Sequence, residues 1–139
     1  MNVAQIEIAR RTICIDRSVW RGVHTPGPIS PVPGAPDWLL GAWGYLGRVL
    51  SVVDLARLSG WGAVARPVNV LLLVELGKEL LAIAGDRDLG DARIPAPDRS
   101  DGLYDVVVSD PPSTNPPLLL EVGRLPMEFE TALMRGPRR

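Results

Sequence analysis

Glycine and proline interrupt this chain so often that few long elements fit between them. The 139 residues include 14 glycines and 14 prolines, about a fifth of the sequence. Proline fixes its own φ and lacks an N–H, and glycine favours turns, so this spacing is typical of many short elements joined by turns. With 46% hydrophobic and 22% charged residues, the composition is globular, and we expect one domain over residues 1–139.

Alternating apolar and polar residues predict a mainly β protein with about nine short strands. AQIEIA (4–9) and TICID (12–16) predict a first hairpin, and RVLSVVDL (48–55) predicts a β-branched strand. VNVLLLVEL (68–76) and ELLAIA (79–84) flank Gly77-Lys78, which suits a type II′ turn. Further strands are predicted in DARIP (91–95), LYDVVVS (103–109) and LLLEV (118–122). Such strands form barrels or sandwiches.

Helices are predicted only in small pieces. One or two turns are expected from Asp16 to a stop at Gly22, a turn from Asp37, and a turn of helix in ARLSG (56–60) that ends at Gly60. Between them, HTPGPISPVPGAP (24–36) is expected to be an extended connector. In the tail, apolar residues recur every fourth position and predict a C-terminal helix of about three turns that stops at Gly136.

The side chains that most enzymes use are nearly absent. His24 is the only histidine and lies in the connector, where an exposed loop residue is expected; Cys14 is the only cysteine and is expected to be a small strand residue. A structural zinc site takes four such ligands. We therefore expect no catalytic residue, metal or cofactor. An enzyme would have to use Asp54, Glu121 and His24, which the sequence does not bring together.

Charge and hydropathy restrict the partners and the compartment. The formal net charge is -1, and basic residues do not alternate with tryptophans on any predicted strand, so we expect no nucleic-acid partner. Four N-terminal arginines, Arg10, Arg11, Arg17 and Arg21, form either a solvated face or a basic docking patch. No apolar run approaches the roughly 20 residues needed to cross a bilayer. A single cysteine fits a reducing compartment, so a cytoplasmic protein without membrane insertion is expected.

The segment PGAPDWLLGAWGYLGRVLSVVDL (33–55) is the most unusual in the chain. Trp43 and Tyr45 alternate with Ala42, Gly44 and Leu46 in one extended stretch, so one side of it is bulky. Such aromatic side chains either pack in the core or anchor a protein interface. Asp54 ends an otherwise apolar strand, and we expect its carboxylate to accept backbone or arginine donors near the next turn.

This segment resembles the CheW-like family of adaptors in bacterial chemosensory arrays. The family pattern runs Pro-Gly-x-Pro-x-Trp-Leu-x-Gly, then Asn-Leu-Arg-Gly, then Pro-Val-x-Asp-Leu. The matching residues here are Pro33, Gly34, Pro36, Trp38, Leu39, Gly41, Gly47, Val49, Val53, Asp54 and Leu55. Weaker resemblance extends to the opening hairpin, to Ala84-Gly85-Asp86 in place of a valine-aspartate pair, and to LLLEV.

The resemblance implies two small, SH3-like, five-stranded barrels that share one core. It also implies a non-enzymatic adaptor that couples a chemoreceptor-like protein to a CheA-type histidine kinase, in chemotaxis or pilus motility. We therefore predict that Trp43, Tyr45, Leu46 and Arg48 bind protein partners. Pro33, Gly34, Pro36, Trp38, Gly41, Gly47 and Asp54 are predicted to be structural.

Two departures from the family pattern leave a second hypothesis open. The Asn-Leu-Arg-Gly step reads Gly44-Tyr45-Leu46-Gly47, so Leu46 replaces the family arginine, and Ser51 replaces the following proline. That arginine is associated with coupling to receptor and kinase. The alternative is a divergent scaffold or regulatory protein that keeps the fold and binds another partner or itself as a homo-oligomer.

Overall fold

The computed structural model describes residues 1–98, 100–108 and 113–136. These residues form ten strands, two α-helices and one 3-10 turn. In chain order they are β1 (Asn2–Ile8), β2 (Arg11–Asp16), β3 (Trp20–His24), β4 (Leu39–Tyr45), β5 (Arg48–Val53), α1 (Leu55–Ser59), β6 (Val70–Leu76), β7 (Glu79–Gly85), β8 (Arg87–Arg93), β9 (Tyr104–Val106), β10 (Leu118–Leu120), the 3-10 turn Val122–Arg124, and α2 (Leu125–Arg135).

The strands form two five-stranded sheets, which confirms the predicted fold class. Sheet A has the order β8-β1-β2-β10-β9, and sheet B has the order β3-β6-β7-β5-β4. Neighbours pair antiparallel except β2 with β10 and β5 with β7, which are parallel. Among the described residues neither sheet closes on itself by hydrogen bonding, since β8 and β9 are the edges of sheet A and β3 and β4 those of sheet B. The resemblance implies two five-stranded barrels, and the structure has two open five-stranded sheets in their place.

One main core joins the two sheets, as the resemblance implied. Ile6 and Ile13 from sheet A are buried in the same cluster as Leu72 and Ile83 from sheet B. The chain passes from sheet B to sheet A at Gly85, where a Cβ atom would collide with the side chain of Ile6. Glycine suits this position because a larger residue would displace the buried side chain of Ile6.

The hairpin and the C-terminal helix agree with the sequence predictions. β6 and β7 pair from Val70↔Gly85 to Leu76↔Glu79, and Gly77 has φ 64° at the first turn position, as a type II′ turn requires. Helix α1 ends at Gly60 in the left-handed conformation. Helix α2 has 11 residues, with a proline in its first turn and Gly136 at its C-cap.

Three predicted elements differ in the structure. The helix expected from Asp16 is wrong: the Asp16 carboxylate accepts the Ser18 N–H at 2.9 Å and stabilises a turn, after which β3 pairs with β6. The carboxylate therefore caps a turn, which aspartate does as readily as it caps a helix. Residues 37–38 form a turn without developing a helix. Strand β8 begins four residues before the predicted DARIP because pairing with β1 fixes its length.

Candidate functional site: the tip of the β4–β5 hairpin

Strands β4 and β5 form a hairpin with a two-residue turn. Tyr45 pairs with Arg48, and the turn residues Leu46 and Gly47 have φ values of 48° and 75°. Positive φ at both positions is the type I′ geometry, which matches the twist of the flanking strands. The sequence predicted that Leu46 continues the extended stretch, and that is wrong. A leucine rarely adopts the left-handed conformation because its Cβ crowds the backbone.

The hairpin has an exposed tip, which we define as Leu46, Arg48 and Val49 and which carries two apolar side chains. The exposed fraction is 82% for Leu46 and 78% for Val49, and Arg48 is exposed as well. Arg48 makes no ion pair with any other residue that the structure describes. The tip therefore combines two unpartnered apolar side chains with one unpartnered cation.

An aromatic cluster supports the tip from inside sheet B. Trp43 is only 8% exposed and stacks on Tyr45, with ring centroids 5.3 Å apart. The ring of His24 lies 4.8 Å from that of Tyr45 and 5.9 Å from that of Trp43. The expectation that His24 is an exposed loop residue is therefore wrong, because it ends β3 and is half-buried. No pattern in the sequence links His24 to Trp43 and Tyr45, which come much later in the chain.

Residues predicted to be structural lie in β4 and in the loop that leads to it. Trp38 stacks on Phe129 of α2, with centroids 4.9 Å apart and planes 5° apart. Gly41 has φ 150°, and a Cβ there would collide with the carbonyl of Ser30, which bridges to Ala42. Pro33, Gly34 and Pro36 lie in the loop that leads to Trp38, where the Leu39 N–H donates to the Pro36 carbonyl at 3.1 Å.

The Asp54 carboxylate accepts hydrogen bonds from backbone N–H groups at and after the next turn. Asp54 is fully buried and is the N-cap of α1, where its carboxylate accepts the N–H groups of Ala56, Arg57 and Val64 at 3.0, 3.2 and 3.1 Å. Burial raises the pKa of Asp54 above its ordinary value, and these hydrogen bonds and the nearby Arg57 charge oppose the rise. Two of the N–H groups belong to the first turn of α1, which therefore begins where Asp54 satisfies its donors.

Asp86 is a connecting residue whose role sequence reasoning missed. Its carboxylate accepts the Ala9 N–H at 2.8 Å and the Ala65 N–H at 2.7 Å. Ala9 belongs to the turn between β1 and β2 of sheet A, whereas Ala65 lies in the loop between α1 and β6 of sheet B. One side chain thus ties a turn of one sheet to a loop of the other. The only sequence signal was that Asp86 stands where the family has the aspartate of a valine-aspartate pair.

The residues that an enzyme would need lie in separate settings. The Asp54 carboxylate is occupied by backbone donors, and His24 lies among aromatic rings. The backbone N–H of Glu121 donates to the Leu103 carbonyl at 2.8 Å, next to the 3-10 turn. Cys14 is buried, which raises the pKa of its thiol. Within residues 1–98, 100–108 and 113–136, no group of three His, Cys, Asp or Glu side chains is arranged to hold a metal ion.

Two five-stranded sheets around one core define the class as a mainly β domain. The structure is similar to the crystal structure of the scaffolding protein TtCheW from Thermoanaerobacter tengcongensis, with a TM-score of 0.72 and 16% identity over 89% of this chain and 90% of that one. At that identity the likeness shows a shared fold. Residues 3–98 match the CheW-like domain family, and the chain belongs to that family.

A curated relative is similar over part of its length. Protein FrzA of Myxococcus xanthus is 36% identical over 73 residues, which are 52% of this chain and 46% of that protein. The matched region thus spans about half of each chain. Among the described residues, no helix is both long enough and apolar enough to cross a membrane.

Proposed function

We propose that this protein is a non-enzymatic adaptor of a bacterial chemosensory pathway. It couples a chemoreceptor-like protein to a CheA-type histidine kinase in the cytoplasm, through protein contacts alone. Membership of the CheW-like family over residues 3–98 supports this function, and the similarity to a scaffolding protein of the same fold agrees with it. The observation that carries the proposal is the exposed apolar hairpin tip.

The tip has the physical character of a docking surface. Leu46 is 82% exposed and also has a backbone conformation that leucine disfavours. An asparagine or glycine would suit that turn better, and a polar side chain would suit that exposure better. Strained residues persist where the surrounding structure fixes them and are enriched at functional sites. The strain and the exposure of Leu46 are therefore both explained if this side chain inserts into an apolar surface of the partner.

The chemistry of the tip differs from that of the family. An arginine would pair with a carboxylate by two parallel hydrogen bonds, whereas leucine offers neither donor nor charge. Binding at this tip is therefore mainly hydrophobic and depends weakly on salt, with Arg48 as an outer contact that is screened by ions. Tyr45, stacked on the buried Trp43, holds the turn in place beneath Leu46.

The test is a binding titration with the CheA-type kinase and with a soluble chemoreceptor fragment from the same cells, at low and at high salt. Leu46→Asp should weaken binding at least tenfold, because a carboxylate must be desolvated at an apolar contact. Leu46→Arg should weaken it less. The control is Val108→Asp, which introduces the same charge at a side chain that is 72% exposed and lies after β9 of sheet A.

Each outcome of this titration has a definite meaning. Loss of binding in Leu46→Asp alone, with a melting temperature no lower than that of the wild type, supports docking at the tip. Equal binding by all variants shows that the tip is not the docking surface. No binding of the wild-type chain to either partner contradicts the adaptor function itself.

A second candidate function keeps the scaffold and changes the partner. The replacement of the family arginine by Leu46 favours it, since an arginine-recognising surface has no use for an exposed leucine. In that case the kinase and the receptor both fail to bind, and a pull-down from native cells recovers a different protein only with the wild-type tip.

A further inference from the structure

Helix α2 has two apolar faces, and the core of its own chain covers only one. The inward face carries Leu125 and Ala132, which are buried, and Phe129, which stacks on Trp38. The outward face carries Met127 and Met134, which are 69% and 88% exposed. Three-and-four spacing on a helix brings side chains to one face, so the outward face is a defined stripe that the adaptor function does not use.

The outward stripe also carries one negative charge. Glu130 lies three residues after Met127 and four before Met134, so it stands between the two methionines on the same face. Its side chain is exposed and makes no ion pair with any described residue. We call Met127, Glu130 and Met134 the outer stripe of α2.

A groove elsewhere on the chain has the complementary character. It has a volume of about 320 Å³ and lies between the connector 25–31 and the loop before β6. Its walls are four prolines, and its apolar side chains are Ile29, Leu40 and Val68. Because proline is rigid, little conformational freedom is left to lose when the groove is filled. The wall residues are Pro26, Pro28, Pro31 and Pro67.

Among the described residues that line this groove, only Arg66 is charged. Arg66 is exposed, and no described residue forms an ion pair with it. The groove therefore suits an apolar segment that carries a single carboxylate beside its apolar anchors. The outer stripe of α2 has this composition.

We propose that the outer stripe of one copy of this protein docks in the proline-walled groove of the next copy, with Glu130 paired to Arg66. The helix is convex, with methionine anchors at spacing i and i+7, which is how an amphipathic helix fills a groove. Methionine is flexible and adapts to an irregular apolar surface. Opposite charges at the edge of the contact fix its orientation.

This contact joins two different surfaces, so it is heterologous. Such contacts build a ring when the rotation between copies closes, and an open chain when it does not. The hairpin tip Leu46, Arg48 and Val49 takes no part in the contact. The proposal therefore does not depend on the adaptor function, and an assembly of this kind would present one tip per copy.

Sedimentation velocity of the full chain over a wide concentration range tests the proposal. The wild-type protein should grow in mass with concentration. Arg66→Glu and Glu130→Arg should each weaken self-association roughly tenfold, since both replace an attractive pair by a repulsive one. An equimolar mixture of the two variants should associate much more strongly than either variant alone, because each contact between unlike copies again joins a glutamate to an arginine.

One control and one further variant separate this contact from nonspecific effects of changing surface charge. Glu79→Arg reverses an exposed glutamate of the β6–β7 hairpin and should leave association unchanged, whereas Met134→Asp should abolish it. Circular dichroism checks that all variants fold, which is expected because the changed side chains are exposed. A wild-type protein that stays monomeric overturns the proposal. So does association that both charge reversals leave unchanged, or a mixture that fails to recover it.

Discussion

The β1–β2 and β4–β5 turns have the same backbone geometry in opposite settings. Both are two-residue turns with positive φ at both positions: Ala9 and Arg10 at 48° and 69°, Leu46 and Gly47 at 48° and 75°. Asp86 accepts the Ala9 N–H, and Asn115 donates to the Arg10 carbonyl at 3.4 Å. The second turn has no such contact among the described residues and projects an exposed leucine. We infer that the first turn is part of the scaffold and the second is a surface for contact.

The difference between the two turns shows how this fold tolerates positive φ at residues other than glycine. At Ala9 the surrounding structure offsets the strain, because a carboxylate from the crossover between the sheets accepts its N–H. At Leu46 no described residue offers a comparable contact, and the stacked rings of Tyr45 and Trp43 lie below the turn. One carboxylate, that of Asp86, thus stabilises the junction of the sheets, whereas the hairpin tip relies on its strands alone. The following experiments test that division.

The largest effect is expected at Asp54, which anchors α1 to the core. Asp54→Ala removes three backbone hydrogen bonds from a fully buried site. The free energy of unfolding should fall by about 1–3 kcal/mol, as measured by denaturant titration. An unchanged unfolding curve would contradict a scaffold role for this carboxylate.

Asp54→Asn is the matched variant, and we expect its free energy of unfolding to depend less on pH than that of the wild type. Burial raises the pKa of Asp54 in the folded state, so between the unfolded and folded pKa values the folded chain binds more protons. The contribution of this group to stability therefore falls as pH rises through that window. Asparagine has no such titration, and its stability should show a smaller decline from acid to neutral pH than the wild type does. Equal slopes would mean that Asp54 titrates alike in both states.

A smaller loss is expected at Asp86, which ties the turn of sheet A to a loop of sheet B. Asp86→Ala leaves the N–H groups of Ala9 and Ala65 without their acceptor and should lower stability by about 1–2 kcal/mol. Hydrogen exchange of both amides should quicken together, because one carboxylate holds them. Faster exchange at one amide only would show that Asp86 does not link the sheets.

The opposite sign is expected at the hairpin tip. Asparagine tolerates the left-handed conformation better than leucine, so Leu46→Asn should raise stability by roughly 0.5–1 kcal/mol. The same variant should weaken binding of the proposed partners. Val49→Thr is the control, since it changes polarity at the tip without relieving strain. A less stable Leu46→Asn variant would show that the leucine packs against its own chain.

The smallest effect is expected at His24. Its ring contacts Tyr45 edge-on, and such contacts contribute about 0.5–1.5 kcal/mol. Because the ring is only half-buried, His24→Gln should lower stability by about 0.5 kcal/mol, the low end of that range, and leave binding and signalling intact, since we assign it no chemical step. Loss of signalling with an unchanged melting curve would show that this histidine acts in the function itself.

The sequence alone was sufficient for the features that depend on local pattern. Period-two alternation located most strands, a glycine located the β6–β7 turn, and four-residue spacing with Pro126 and Gly136 located α2. The apolar surroundings of Asp54 predicted that its carboxylate accepts backbone or arginine donors, and the donors are backbone N–H groups. These predictions succeeded because strand pleat, turn geometry and helix capping are set by neighbouring residues.

Only the tertiary structure decided the features that join distant parts of the chain. Leu46 is a turn residue because the Tyr45↔Arg48 pairing places it there, and His24 is half-buried because β3 brings it beside β4. The role of Asp86 depends on Ala9 and Ala65, which lie 77 and 21 positions away. Such contacts arise from the packing of two sheets on one core, and periodicity along the chain carries no information about which residues that packing brings together.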